Sequence, residues 1–240
     1  MTSMKSFGII FLGLFLSLWG EQKALESPCL PPLPKTDSLN FRVLSAQGIS
    51  GILFGGFRGM IAGITWMYID SLWHQARFYK LPPLYEFMTT LQPDFIDGWI
   101  MGGWHMAYNM SLELPKVKNL SPALRQKLEL QWVYKGIQFL KSGAAMNPKN
   151  ASLPFEIGWT YYHRLNNYKD AVPWFDNSAA LNPEDGLPLR LSAYATEKSG
   201  SPQTALKKWL ELKQHPSYTL TYSKNIIDRN ILRLQSLTGK

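Results

Sequence analysis

The residues able to do chemistry are few and scattered. Four histidines, His74, His105, His163 and His215, stand far apart, and no two fall at the i, i+3 or i, i+4 spacing that puts metal ligands on one helix face. Asp170 and Asp176 share a predicted helix with no further carboxylate placed for acid–base work. Ser50 sits in "QGISG", one residue short of a nucleophile elbow. Gly51, Gly55, Gly59 and Gly63 recur at every fourth position in "GILFGGFRGMIAG". A phosphate loop needs Lys-Ser/Thr after its last glycine, and a dinucleotide fingerprint needs G-x-G-x2-G between a strand and a helix. Neither is present. The expectation is a chain that is not an enzyme, with no catalytic residues, no metal and no cofactor.

The elements around these residues explain what they do instead. The 240 residues are 45% apolar and 18% charged, which suits one folded domain or a short array of repeats. Nine tryptophans must be packed or displayed. The net charge is +8, and eight Lys/Arg against two acids lie between Lys198 and Lys240. No zinc-finger or RNP-type signature accompanies them, so a solvated helix face is expected rather than nucleic-acid binding. Cys29 is the single cysteine, which excludes an intramolecular disulfide. The residues before it, Glu26-Ser27-Pro28, do not suit lipid attachment.

Residues 1–24 begin with Lys5 and an apolar run from Phe7 to Trp19, the layout of a secretory signal peptide. Thirteen helical residues reach about 20 Å, short of a roughly 30 Å hydrocarbon core. The cleavage site is poor, so an N-terminal membrane anchor is the alternative. Either places the rest of the chain in the extracytoplasmic cell envelope. Residues 25–47 form a Pro-rich linker, expected to be extended.

The second half repeats. "GIQFLKSGAAMNP" (136–148) aligns without gaps with "AVPWFDNSAALNP" (171–183), at an offset of 35 residues (183 − 148). Small residues match small ones at Gly136/Ala171, Gly143/Ser178, Ala144/Ala179 and Ala145/Ala180, and both copies end in a helix-stopping Asn-Pro. Such a period means stacked helical hairpins. The pattern resembles the tetratricopeptide repeat family. The best copy runs Ile157-Gly158-x2-Tyr161, Ala171-x3-Phe175 and Pro183. It departs at the tryptophan position, held by Pro154, and its turn "RLNN" is one residue longer than usual. A second copy runs Trp99-x2-Gly102-Gly103, Gly136-x3-Leu140 and Pro148. A third runs Leu189-x3-Ala193 and Ala205-x3-Trp209, and a degenerate one ends at Pro93.

The resemblance implies an all-α, right-handed α-solenoid of about four helical hairpins, 48–93, 95–149, 151–184 and 186–217. The second hairpin carries an insertion at 110–120, and Ser121 with Pro122 is placed to start its second helix. Residues 218–240 are read as a basic amphipathic capping helix, with membrane-surface binding as the alternative. Gly103, Gly158 and Ala193 on first helices, with Gly136, Ala171 and Ala205 on second helices, are expected where paired helices nearly touch; Pro148 and Pro183 end hairpins. The family places an inner groove along the first helices. That assigns Trp104, Trp159 and Tyr194, then Tyr108, Tyr162, His163, Glu197 and Lys198, with Arg190, to partner binding. Ordinary core packing is the competing assignment for Trp104 and Trp159.

For residues 49–69 two placements compete. Arg58 at mid-span costs roughly 2.5–3.5 kcal/mol in a bilayer, which favours a buried first helix whose glycine stripe is a packing seam. The functional expectation is a non-enzymatic envelope scaffold or adaptor that binds a segment of a partner protein in its groove. The alternatives are an integral membrane component with 49–69 as a span, and a glycan-binding protein or enzyme.

Overall fold

The computed structural model describes residues 57–113 and 120–239. The expected signal, the linker, Gly51, Gly55 and most of the 110–120 insertion lie outside them. Among the described residues the regular structure is helical, with nine helices in chain order. They are α1 (Arg58–His74), α2 (Leu81–Leu91), α3 (Ile96–Trp104), α4 (Pro122–Met146), α5 (Ser152–Arg164), α6 (Tyr168–Leu181), α7 (Gly186–Lys198), α8 (Pro202–Glu211) and α9 (Thr221–Thr238). α3 runs on through a π-helical stretch, His105–Met110, and a last turn, Ser111–Glu113. Each helix packs on the next in sequence, so α1/α2, α3/α4, α5/α6 and α7/α8 are successive antiparallel hairpins and α9 closes the array.

The same short turn joins the hairpins three times. Gln92, Asn147 and Asn182 end α2, α4 and α6 with ψ of 82°, 62° and 79°, the extended backbone that a following proline imposes. Each then accepts at its carbonyl from the N–H three residues on: Phe95, Asn150 and Asp185, at 3.1, 3.0 and 3.2 Å. Two of these turns are also tied from the next hairpin. The Pro93 carbonyl accepts from Asn147 Nδ2 (2.8 Å) and Trp99 Nε1 (2.9 Å), and the Pro183 carbonyl accepts from His215 Nε2 (2.7 Å). His215 thus satisfies a backbone carbonyl of the preceding turn.

Helix starts follow local chemistry. Ser121 accepts from the Leu124 N–H at 3.3 Å to begin α4, Asn167 caps α6 through the Asp170 N–H at 3.2 Å, and Asp185 caps α7 through the Leu187 N–H at 2.9 Å. The long "RLNN" turn is made by Asn166 in the left-handed region, φ 50°.

Small residues set the spacing within hairpins. A Cβ on Gly103 would lie 2.5 Å from Leu140 Cγ, one on Gly136 2.6 Å from the Gly103 carbonyl oxygen, and one on Gly158 2.9 Å from the Phe175 ring. Ala171, Ala193 and Ala205 are wholly buried. Burying Phe175 and Trp209 completely contributes about 1.5–3 kcal/mol or more each, which a wider helix separation would forfeit.

The glycine stripe of α1 is different and corrects the packing-seam expectation. Among the described residues, a Cβ on Gly59 or Gly63 would meet nothing within 4 Å. The buried face of α1 is Ala62, Thr65, Ile69 and Leu72, while Met60, Ile64, Met67 and Tyr68 face outward. Arg58 finds a carbonyl partner, donating from Nε to Leu91 O at 3.0 Å. Among the described residues no helix is long and apolar enough to cross a membrane.

Candidate functional site

Five of the six aromatic residues assigned to the groove lie on α3, its π-helical continuation and α5, and the structure joins them into one row. The Trp104 and Tyr108 rings stack at 5.9 Å, Tyr108 and His163 at 6.0 Å, His163 and Trp159 at 5.2 Å, and Trp159 and Tyr162 at 6.1 Å, with interplanar angles from 9° to 27°. Tyr162 meets Tyr168 edge-on at 5.1 Å, and Lys198 Nζ lies 4.8 Å from both ring centroids. Trp104 is 38% exposed, His163 and Lys198 are exposed, and Tyr108, Trp159 and Tyr162 are half-buried. The row spans the second and third hairpins and reaches the fourth at Lys198. Helical i, i+4 spacing puts Trp104 above Tyr108 and Trp159 above His163.

Tyr108 belongs to the π-helical stretch, where wider turns displace the usual backbone partners. The Ala107 carbonyl there accepts from Ser111 Oγ at 2.7 Å and from Arg164 Nε at 3.0 Å. Arg164 Nη2 also donates to Ser111 Oγ and to Glu129 Oε1, both at 2.9 Å, and its guanidinium lies 5.5 Å from the Tyr108 ring centroid. Arg164, from the end of α5, therefore locks the segment that presents Tyr108. The Tyr108 hydroxyl is shut away from water beside Thr160 without a hydrogen bond of good geometry. Burial, then the neighbouring Glu156 carboxylate, push its pKa up to about 12. Burial also raises Glu156 itself. Sequence reading missed Arg164, Glu156 and Tyr168. The repeat pattern marks positions by size, and nothing in it flags a cation that reaches across to the preceding hairpin.

Arg190, Tyr194 and Glu197 do not join the row. They form one face of α7 that α9 covers. Arg190 Nη1 donates to Ser223 Oγ at 2.7 Å, Asn230 Nδ2 donates to Tyr194 Oη at 2.9 Å, and the Arg233 guanidinium grips both Glu197 oxygens at 2.6 Å. The sequence places all three on the right helix, but α9 occupies the side they face.

The other residues with chemical potential are structural. Asp176 of α6 takes Lys208 Nζ of α8 at 2.7 and 2.8 Å and the Ser192 hydroxyl of α7 at 2.5 Å, tying three consecutive helices together. Asp170 accepts from Asn167 Nδ2 at 2.8 Å at the start of α6. Among the described residues no group of three or more His, Cys, Asp or Glu could hold a metal ion.

The small-residue contacts at Gly103, Gly136 and Gly158, repeated hairpin by hairpin, decide the architecture. The fold is a solenoid of helical hairpins. Two solved structures are similar to it. One is the crystal structure of TTC0263, a thermophilic TPR protein of Thermus thermophilus, at 12% identity over 68% of this chain and 78% of that one, with a TM-score of 0.46. The other is the crystal structure of MamA, at 15% identity over 68% of this chain and 96% of that one, with a TM-score of 0.34. No protein-family model and no curated protein matches the chain.

Proposed function

We propose that the protein is a non-enzymatic scaffold that holds a segment of another protein against the row formed by Trp104, Tyr108, Trp159, Tyr162, His163 and Lys198. The observation that carries this reading is the continuity of the row. Five rings stack in series across two hairpins, and the row keeps Trp104, His163 and Lys198 at the surface. Aromatic side chains offer large contact area for little conformational entropy and recur as interface anchors. The apolar run from Phe7 to Trp19 behind Lys5 supports export to, or anchoring at, the cell envelope as the place of action.

The test is capture from cell-envelope extract with the full chain, comparing wild type with a Trp104→Ala, Trp159→Ala double variant. Retention of a protein by wild type and its loss from the variant supports the row as docking surface. Equal retention sinks it. His163→Ala and Lys198→Glu, both at exposed positions, keep the test decisive if the tryptophan variants unfold.

The outward apolar face of α1, with Met60, Ile64, Met67 and Tyr68, favours a second reading, in which residues 49–69 seat the protein at a membrane. Release by alkaline carbonate of the form lacking residues 1–24 would argue against it.

A further inference from the structure

Between α1, α2 and α3 lies a half-open cavity of about 250 Å³ that the aromatic row does not use, apart from its end residue Trp104. Trp66 and Trp73 of α1, Tyr85 of α2, and Trp104 and His105 at the end of α3 wall it, and Asp70 stands at its rim. The rings are not parallel. Trp66 meets Tyr85 at 80° with centroids 6.4 Å apart, Trp104 meets His105 at 67° and 5.2 Å, and Trp73 meets His105 at 53° and 6.2 Å. Aromatic surface is therefore offered from several directions around one volume.

The charge around the cavity has one sign. Among the described residues of the lining Asp70 is the acidic one, and none is Lys or Arg. His105 is buried and neutral near pH 7, because burial lowers its pKa to about 4, and its Nδ1 accepts from Asn109 Nδ2 at 2.7 Å. His74 Nδ1 lies 3.4 Å from Asp70 Oδ2, on an exposed pair at the outer edge. Ring faces attract cations, and a carboxylate at the mouth adds to that attraction. The lining has few hydrogen-bond acceptors besides Asp70. A primary ammonium would bring three N–H donors and leave some of them desolvated, which costs free energy. A trimethylammonium group spreads its charge over methyl groups and needs no acceptor. The volume lies below the 300–1,000 Å³ of pockets that take drug-sized ligands, so the occupant is small.

We propose that this cavity binds a small trimethylammonium cation of the choline type, with the faces of Trp66, Trp73 and Trp104 around the methyl groups and Asp70 balancing the charge. The site shares Trp104 with the protein-docking row, while Trp66, Trp73 and Asp70 lie outside that row.

The experiment titrates the full chain with three probes while following the tryptophan indole N–H resonances, assigned by single Trp→Phe variants. Choline is the test ligand. 3,3-Dimethylbutan-1-ol has the same shape without the charge, and butylammonium has the charge with N–H donors. Choline should shift Trp66, Trp73 and Trp104 and leave Trp174 still. It should bind at least about fivefold more tightly than the neutral isostere, the range that a cation–aromatic contact supplies. Butylammonium should bind more weakly than choline. Asp70→Asn, at an exposed position, should weaken choline about two- to fivefold with the fold intact. Equal binding of the neutral alcohol would reduce the cavity to an apolar pocket. Butylammonium binding as tightly as choline would reassign it to primary amines. No shift at millimolar choline, or shifts confined to other tryptophans, would overturn the proposal.

Discussion

Two glycines on helices of this chain have opposite reasons to be glycine, and substitution separates them. Gly136 faces the Gly103 carbonyl so closely that an added methyl must push backbone away, so Gly136→Ala should destabilise by about 1–3 kcal/mol. Gly63 lies in α1 with open space around its Cβ position, so Gly63→Ala should stabilise by about 0.5–1 kcal/mol through the helix preference of alanine. Urea denaturation of both variants checks the pair, and equal signs would refute the distinction. His105 makes a further residue-scale prediction. Its pKa falls to about 4 in the folded state because burial disfavours the cation, while the unfolded chain titrates near the ordinary 6.5. Between those values the unfolded state binds the extra proton. The stability from a neutral His105 is therefore complete above pH 6.5, declines as pH falls towards 4, and then levels off. The loss is on the order of 3 kcal/mol across that window. Glu156, raised by burial, opposes part of this decline, so the comparison is with His105→Gln, which removes the titration and leaves Glu156 in place. Subtracting the two stability–pH curves should leave the histidine slope alone.

Among the elements, the first helix of the second hairpin is the unusual one, since its π-helical stretch presents Tyr108 and depends on a residue from the next hairpin. Arg164 holds the Ala107 carbonyl, Ser111 and Glu129 with a planar fork that a lysine ammonium cannot reproduce. Arg164→Lys keeps the charge yet should cost roughly 1–3 kcal/mol, the scale of hydrogen bonds to charged groups, and should change the near-ultraviolet dichroism from Tyr108. A variant with unchanged stability and dichroism would show that the stretch holds itself. This arrangement also marks what the sequence makes legible. Hairpin ends were readable because Asn-Pro stops a helix for a local reason, and the close contacts at Gly103, Gly136 and Gly158 were readable because repeats put small residues opposite one another. The glycine stripe of α1 misled because a four-residue period marks a face without telling what covers it: no described residue comes within 4 Å of a Cβ on Gly59 or Gly63. Arg190, Tyr194 and Glu197 misled for the converse reason. Their register on α7 fits the family pattern, but α9 packs where a groove was expected. Arg164 acts over 57 residues of sequence, at Ala107, and no local spacing carries that information.

On the scale of the molecule, the described residues divide their apolar interior into two clusters that meet at α7. One runs from Ala62 through Tyr85, Trp99, Leu140 and Phe175 to Ala195. The other gathers Ala193, Ala205, Leu206, Trp209 and Leu212 with Ile227, Ile231 and Leu234 of α9. A solenoid holds only neighbour-to-neighbour contacts, so its stability is close to a sum of local terms and its end can open while the middle stays folded. The second cluster relies on α9, whose polar links to α7 include the solvent-accessible Arg233–Glu197 pair, worth no more than about 1 kcal/mol. The apolar contacts of Ile227 and its neighbours must carry most of the closure. Ile227→Ala removes a fully buried side chain and should cost about 2–5 kcal/mol where it acts. Native-state hydrogen exchange should then show α8 and α9 losing protection together, by a common increment, while α3, α4 and α5 keep theirs. The aromatic row on α3 and α5 would stay formed, because its rings and the Arg164 lock lie within the first cluster's hairpins. Faster exchange in α3–α5 by the same increment would mean instead that both clusters fold as a single cooperative unit, and that α7 transmits loss of the cap to the row.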